Sequence, residues 1–246
     1  MTLTGKVALV TGTRRLGGAV VQALAARGVH VAIVAHTSIA RAEVLSAEAQ
    51  GAGVEAAVFQ ADLRSGEACR ALVGAVVDRF GRLDIVVHAA SIYTRTPLQA
   101  VTPEQWQAPL DVDLSAAFFL TQAAAPAMAA VGGGRVVFFG DWLAAGGRPR
   151  YQGFVPYYVA KAAVQALAQA LALELAADGT LVNVLALGAM LPADDVPASA
   201  VQAAALATPL GRWGGAGAVV QALLGLLASD FITGETIRVD GGRHLR

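Results

Sequence analysis

Short apolar runs recur along the chain, and each is followed by a stretch of helical length. The runs cover 7–11, 30–35, 54–60, 84–89, 135–140, 181–187 and 235–239. Most are continuously apolar rather than alternating, as expected of strands buried on both faces. Between them, 19–27, 66–80 and 156–177 read as helices, the first closed by Gly28. A further helix opens at Thr102, with Pro103 at its first position and Gln105 completing a capping box. Strands alternating with helices make βαβ units, and these predict an α/β fold: a doubly wound parallel sheet of about seven strands with helices on both faces. No linker, repeat or low-complexity segment interrupts the pattern, so residues 1–246 are expected to form one domain.

Composition narrows the picture. Hydrophobic residues make up 56% of the 246 and charged residues 15%, which supports a large core and argues against disorder. Eighteen basic side chains balance eighteen acidic ones, so no global field favours nucleic acid or an anionic membrane. One cysteine, Cys69, excludes an internal disulfide framework and a cysteine-built zinc site, and no metal site is expected. It also suits a reducing, cytoplasmic setting. Segments 114–134 and 213–229 carry no charge, but the first contains Pro126 and the second is short for a span, so both are expected to be buried helices. The amino terminus runs directly into the first strand and is not expected to carry a signal peptide.

A sheet of this kind binds ligands at the carboxyl ends of its strands. After the first strand comes a glycine turn, from Thr11-Gly12 through Arg14, Arg15 and Leu16 to Gly17-Gly18, leading into a helix. Glycines there let the backbone approach a pyrophosphate seated on the helix N-terminus, as in a Rossmann-type fold. The second strand ends in His36-Thr37-Ser38, with no carboxylate to hold the ribose 2′-hydroxyl of NAD. Arg14 and Arg15 suit a 2′-phosphate instead, so the expected cofactor is NADP(H).

At the other end of the chemistry, Tyr157 and Lys161 stand four apart on one helix face. An ammonium beside a phenol is expected to lower the phenol pKa and make Tyr157 a usable acid or base. His88 is expected to pack or hydrogen-bond at its strand end. For Trp142 and Trp213, packing in the core or at an interface is expected ahead of a place at the substrate mouth.

With these residues in place the whole chain resembles a short-chain dehydrogenase/reductase, from Thr11-Gly12 to the closing Val239-Asp240-Gly241-Gly242. The match includes Asp62 and Leu63 after the third strand, where that family holds adenine, and Gly188 beside the nicotinamide. Ala89 and Ala90, after the fourth strand, fall within its cofactor site. The resemblance implies that Tyr157 transfers the proton and that Lys161 orients the nicotinamide ribose. It also implies a homotetramer, with a dimer as the alternative.

Several positions depart from the family pattern. The glycine loop is one residue short, with Arg15 where glycine is usual. Asp141 stands at the catalytic serine position and Asp113 at that of the helix asparagine. Arg15, Ser91, Tyr93 and Asp141 together resemble the pteridine reductase branch. There, Arg15 would touch both the cofactor phosphate and the pterin, and Tyr93 would stack the pterin on the nicotinamide. Asp141 and Tyr157 would deliver the proton, with Ser91 also at the substrate. A carboxylate at 141 equally suits capping a backbone N–H after the strand. Asp113 is expected to pair directly with Lys161 and so to cancel part of the charge that acidifies Tyr157.

The expected function is therefore NADPH-dependent reduction with Tyr157 as proton donor, the acceptor being a pterin or dihydropterin. The alternatives are reduction of a small ketone or aldehyde (or the reverse alcohol oxidation) and an NADP(H)-sensing protein of little activity.

Overall fold

A computed structural model describes residues 1–147, 149–192 and 196–246. Seven strands form one parallel sheet: β1 (Val7–Thr11), β2 (His30–Ala35), β3 (Ala56–Gln60), β4 (Ile85–His88), β5 (Arg135–Asp141), β6 (Leu181–Leu187) and β7 (Thr236–Val239). Their order is β3-β2-β1-β4-β5-β6-β7. The order reverses direction between β1 and β4, which makes that crevice the switch point where ligands collect in such sheets.

Two apolar cores lie on opposite faces of the sheet. One joins β1 and β5 to α3 (Gly66–Phe80), α5 (Ala116–Ala130) and α7 (Val155–Leu175) through Leu9, Leu72, Leu120, Phe138 and Val164. The other joins the sheet to α1 (Leu16–Ala25), α2 (Ile39–Gly51) and, late in the chain, α9 (Gly215–Ala228) through Val10, Leu24, Ile33, Leu45 and Leu223. Burial on both faces explains why the strands read as unbroken apolar runs.

Local chemistry sets the ends of these elements. Ser65 caps α3 by accepting from the Ala68 N–H, and Gly81, at φ +73°, closes it in the left-handed region. The capping box at Thr102 and Gln105 opens α4 (Pro103–Pro109). A π-helical turn, Leu110–Ser115, then joins α4 to α5 and places Asp113 inward. Two short helices complete the set: α6 (Trp142–Gly146) directly after β5, and α8 (Ala198–Leu206).

Some expected boundaries shift. Strand β3 begins at Ala56 rather than 54, because the Gly53 turn brings the Glu55 N–H onto His30. Asp84 lies just outside β4, its carboxylate taken up by Val7 N–H, Lys6 and Arg82. Helix α1 starts at Leu16, three residues before the expected 19. A Cβ on Gly17 would lie 1.9 Å from the Gly12 carbonyl oxygen, so only glycine lets the helix begin so close to the turn.

By length and composition alone, two helical stretches, Pro103–Ala130 and Val155–Asp178, could cross a membrane. The apolar segment 114–134 overlaps the first, and both stretches pack one side into the core. Segment 213–229 contains the shorter α9.

Candidate active site

The carboxyl ends of the strands open into a cavity of about 1320 Å³. That exceeds the roughly 300–1,000 Å³ of a single small-ligand site and leaves room for a dinucleotide and an acceptor together. All of the site residues singled out from sequence line it except Asp113, which lies beneath its floor.

The turn from Gly12 to Leu16 forms one end. Gly12, at φ +76°, passes so close to the β4 end that a Cβ would sit 2.6 Å from the backbone of Ala89 and Ala90. Helix α1 has no side-chain cap and no acidic residue in its first turn, so its leading N–H groups are left for an anion. Arg14 and Arg15 flank it, both exposed. Arg15 is the one non-glycine residue with positive φ among those described, at φ 54° and ψ −107°, so the shortened loop holds a side chain where the family pattern has glycine. Its guanidinium donates to the Leu191 carbonyl.

His36, Thr37 and Ser38 follow β2 on the same side. Asp62 is held in place by Arg64, 2.6 Å away, a partner that sequence reasoning did not single out. The Arg64 hydrogen bonds pull the Asp62 carboxyl down to about 2.

At the β4 end, His88 is fully enclosed. Its Nε2–H donates to the Val112 carbonyl at 2.9 Å, so Nδ1 accepts from the Thr11 hydroxyl, which in turn accepts from Ala89 and Ala90 N–H. Burial drops the imidazole pKa to about 4, and the ring stays neutral. His88 thus ties β1 to the π-helical turn that carries Asp113.

The chemistry gathers on β5 and α7. Tyr157 Oη lies 3.0 Å from Asp141 Oδ2. Asp141 Oδ1 accepts from the Leu143 N–H at 2.8 Å and caps α6, so the capping reading and the proton-pair reading of this carboxylate hold together. Below them Lys161 Nζ is 2.8 Å from Asp113 Oδ1 and 2.5 Å from the Phe139 carbonyl. Ser91 Oγ also donates to Asp113, and the Ile92 N–H donates to its other oxygen. Asp113 therefore pairs with Lys161 as expected, and Ser91 turns toward that pair.

One expectation is corrected. The phenol of Tyr157 stands well above its ordinary value rather than below it. Burial is the first cause, and the carboxylates of Asp141 and Asp113 add to it. Lys161 is spent on Asp113 and Phe139, and its ammonium lies 5.8 Å from the Tyr157 ring centre. Asp141 is likewise raised, by burial before all else.

Tyr93 stacks on Phe154 at 4.5 Å and meets the Tyr157 ring edge-on at 4.8 Å, so it stands beside the reacting hydroxyl. Phe154 carries no sequence signal of its own. Both Trp142 and Trp213 border the cavity, and Trp142 is also 95% enclosed, consistent with the packing expected of it. Gly188, after β6, packs so tightly on Asp240 that a Cβ would be 2.8 Å from it. Among the described residues no group of His, Cys, Asp and Glu is arranged to hold a metal.

A parallel sheet with a glycine turn at its switch point and a Tyr–Lys helix beside it defines a dinucleotide-dependent oxidoreductase. The comparisons give the family. A family model described as Enoyl-(Acyl carrier protein) reductase matches residues 10–244. A 3-oxoacyl-[acyl-carrier-protein] reductase of Synechocystis sp. is 34% identical over 98% of this chain and 97% of its own. A trans-4-hydroxycyclohexanecarboxylate dehydrogenase of Sinomonas cyclohexanicum is 33% identical over 96% of this chain and 92% of its own. The crystal structure of a short chain dehydrogenase from Burkholderia cenocepacia J2315 in complex with NADP superposes with a TM-score of 0.90, at 32% identity, over 99% of both chains. The chain belongs to the short-chain dehydrogenase/reductase family and is an oxidoreductase of that family.

Proposed function

We propose that this protein is an NADP(H)-dependent reductase in which Tyr157 gives a proton to the acceptor and Asp141 replenishes it. The observation that carries the reading is the 3.0 Å contact between Tyr157 Oη and Asp141 Oδ2 on the cavity wall above Lys161. Gly12, Gly17 and the uncapped α1 terminus fit the pyrophosphate of a dinucleotide, and Arg14, Arg15, His36, Thr37 and Ser38 fit a 2′-phosphate. When bound, the nicotinamide supplies the hydride.

The chain's own residues then manage the proton. Asp141 Oδ1 is occupied by the Leu143 N–H, so a proton on this carboxyl sits on Oδ2, facing Tyr157. Burial raises the Asp141 pKa above its ordinary value. Tyr157 passes its own proton to the acceptor and takes the one from Asp141. Asp141 is left as a carboxylate and recovers a proton from water. Lys161, fixed between Asp113 and Phe139 and 5.8 Å from the Tyr157 ring centre, would hold the nicotinamide ribose beside the phenol.

For the acceptor, a ketone needs only an oxygen-directed donor, which Tyr157 supplies. The 3-oxoacyl group named for the Synechocystis relative is such a ketone, which supports this reading. Tyr93 and Asp141 favour a second reading, a pterin or dihydropterin, because a ring stacked by Tyr93 would bring a C=N bond to a two-residue proton chain. Ser91 and Arg15 lend it less, since both are turned to protein partners. NADPH consumption with 4-oxocyclohexanecarboxylate, acetoacetate, dihydrobiopterin and dihydrofolate separates the two readings.

We place the protein in the cytoplasm as a homotetramer. Val155, Val159 and Leu173 leave apolar surface along α7, and the one cysteine is a buried free thiol.

A further inference from the structure

We propose that the acceptor carries a carboxylate, and that Arg150 and Arg243, both set against the Trp142 indole, receive it. The inference rests on the reductase reading and names the substrate class for the same cavity.

Both guanidiniums lie 5.3 Å from the centre of the Trp142 ring, so their charges stand no further apart than twice that distance. Among the described residues neither has a carboxylate within ion-pair distance, whereas Arg64 and Lys161 in the same cavity are matched by Asp62 and Asp113. Two like charges gathered on one indole repel each other until an anion joins them. Arg243 is already aimed. It donates to the Tyr151 hydroxyl at 2.8 Å and to the Ala204 carbonyl at 3.3 Å, which fixes the plane of the fork. A guanidinium has five N–H groups, so three remain for a ligand, and the Tyr151 hydroxyl keeps its own proton to donate.

The sheet order separates this pair from the arginines at the cofactor end. Arg14 and Arg15 follow β1, while Trp142 follows β5 and Arg243 follows β7. Four strand spacings divide β1 from β7, about 19 Å. Phosphates at the glycine turn therefore cannot also serve Arg243, and an anion held there would be a separate one. Trp142 directly follows Asp141 in the chain, so an acceptor held there has its reducible bond within reach of Tyr157. Both proposed acceptor classes have carboxylate members, the keto acids and dihydrofolate.

The test measures binding to the full-length protein saturated with NADP⁺, by calorimetry, for three pairs of probes. These are 4-oxocyclohexanecarboxylate and its methyl ester, acetoacetate and its methyl ester, and dihydrofolate and dihydrobiopterin. The expected result is that the acid of at least one pair binds about ten-fold tighter or better, as charge-assisted hydrogen bonds allow. The double substitution Arg150→Gln/Arg243→Gln should abolish that preference and leave NADPH affinity unchanged; Arg243→Lys, which keeps the charge but loses the fork, should retain part of it. No preference in any pair overturns the proposal, as does a preference that survives the double substitution. Turnover is read separately, so an acid preference without NADPH consumption would refute the reductase reading while the anion site stood.

Discussion

Replacing Asp113 with asparagine, the residue usual at this place in the family, should weaken the fold rather than normalise it. Asp113 Oδ1 accepts from both Lys161 and Ser91, and Oδ2 accepts from the Ile92 N–H. Asparagine keeps one acceptor oxygen and turns an NH₂ toward a donor on the other side. Lys161 is 3% exposed, so its ammonium would then rest on the Phe139 carbonyl and one amide oxygen with little water to help. Removing one partner of a buried pair costs about 3–5 kcal/mol. For a chain of this size that lowers the melting temperature by about 6–20 °C. Urea denaturation of the wild type, Asp113→Asn, Lys161→Met and the double variant measures the coupling directly. The double variant should lose much less than the two single losses combined. A loss below about 1 kcal/mol for Asp113→Asn, or additive singles, would refute the reasoning.

Three other outcomes follow from the same geometry. Arg15→Gly removes a strained positive φ, so thermal denaturation should show a gain of about 0.5–2 kcal/mol after the entropic cost of glycine. Arg15→Ala, which keeps the strain, should show no gain. Both Arg15 variants should bind NADPH less well relative to NADH when titrated, because each loses a guanidinium from the phosphate end. Asp141→Asn removes a carboxylate that raises the Tyr157 pKa, so Tyr157 should lose its proton at lower pH. Spectrophotometric titration of the tyrosine phenols should then show one of them ionising at lower pH than in the wild type, and an unchanged titration would contradict the pairing.

Much of the fold is legible in the sequence because burial leaves few choices. Strands 7–11, 30–35 and 181–187 match at both ends, since a strand covered on both faces must be apolar throughout and stop where polarity returns. The expected helix over 66–80 likewise matches α3 at both ends, where the structure shows Ser65 and Gly81 as its caps. The start of α1 was less legible, because Gly17 and Gly18 read locally as loop and only the approach to the Gly12 carbonyl makes them helical. Within the site, pairs close in sequence could be read and convergences could not. Tyr157 and Lys161 declare themselves by helical spacing. The direction of the Tyr157 pKa depends on burial first and then on Asp141 and Asp113 arriving from separate elements, and the Trp142–Arg150–Arg243 cluster joins α6, a loop and the chain end. Between β6 and α8 the sequence carries no motif that points to an acceptor, and residues 193–195 lie outside those described.

The central claim is that Tyr157 is the proton donor of an NADPH-dependent reduction. NADPH oxidation with the ketone and pterin panel, for the wild type and Tyr157→Phe, tests it most directly. The account predicts turnover by the wild type on at least one acceptor and a loss of about a hundred-fold or more in the variant, with NADPH affinity unchanged. Turnover that survives Tyr157→Phe would contradict it, as would a wild type that binds NADPH and reduces none of the panel.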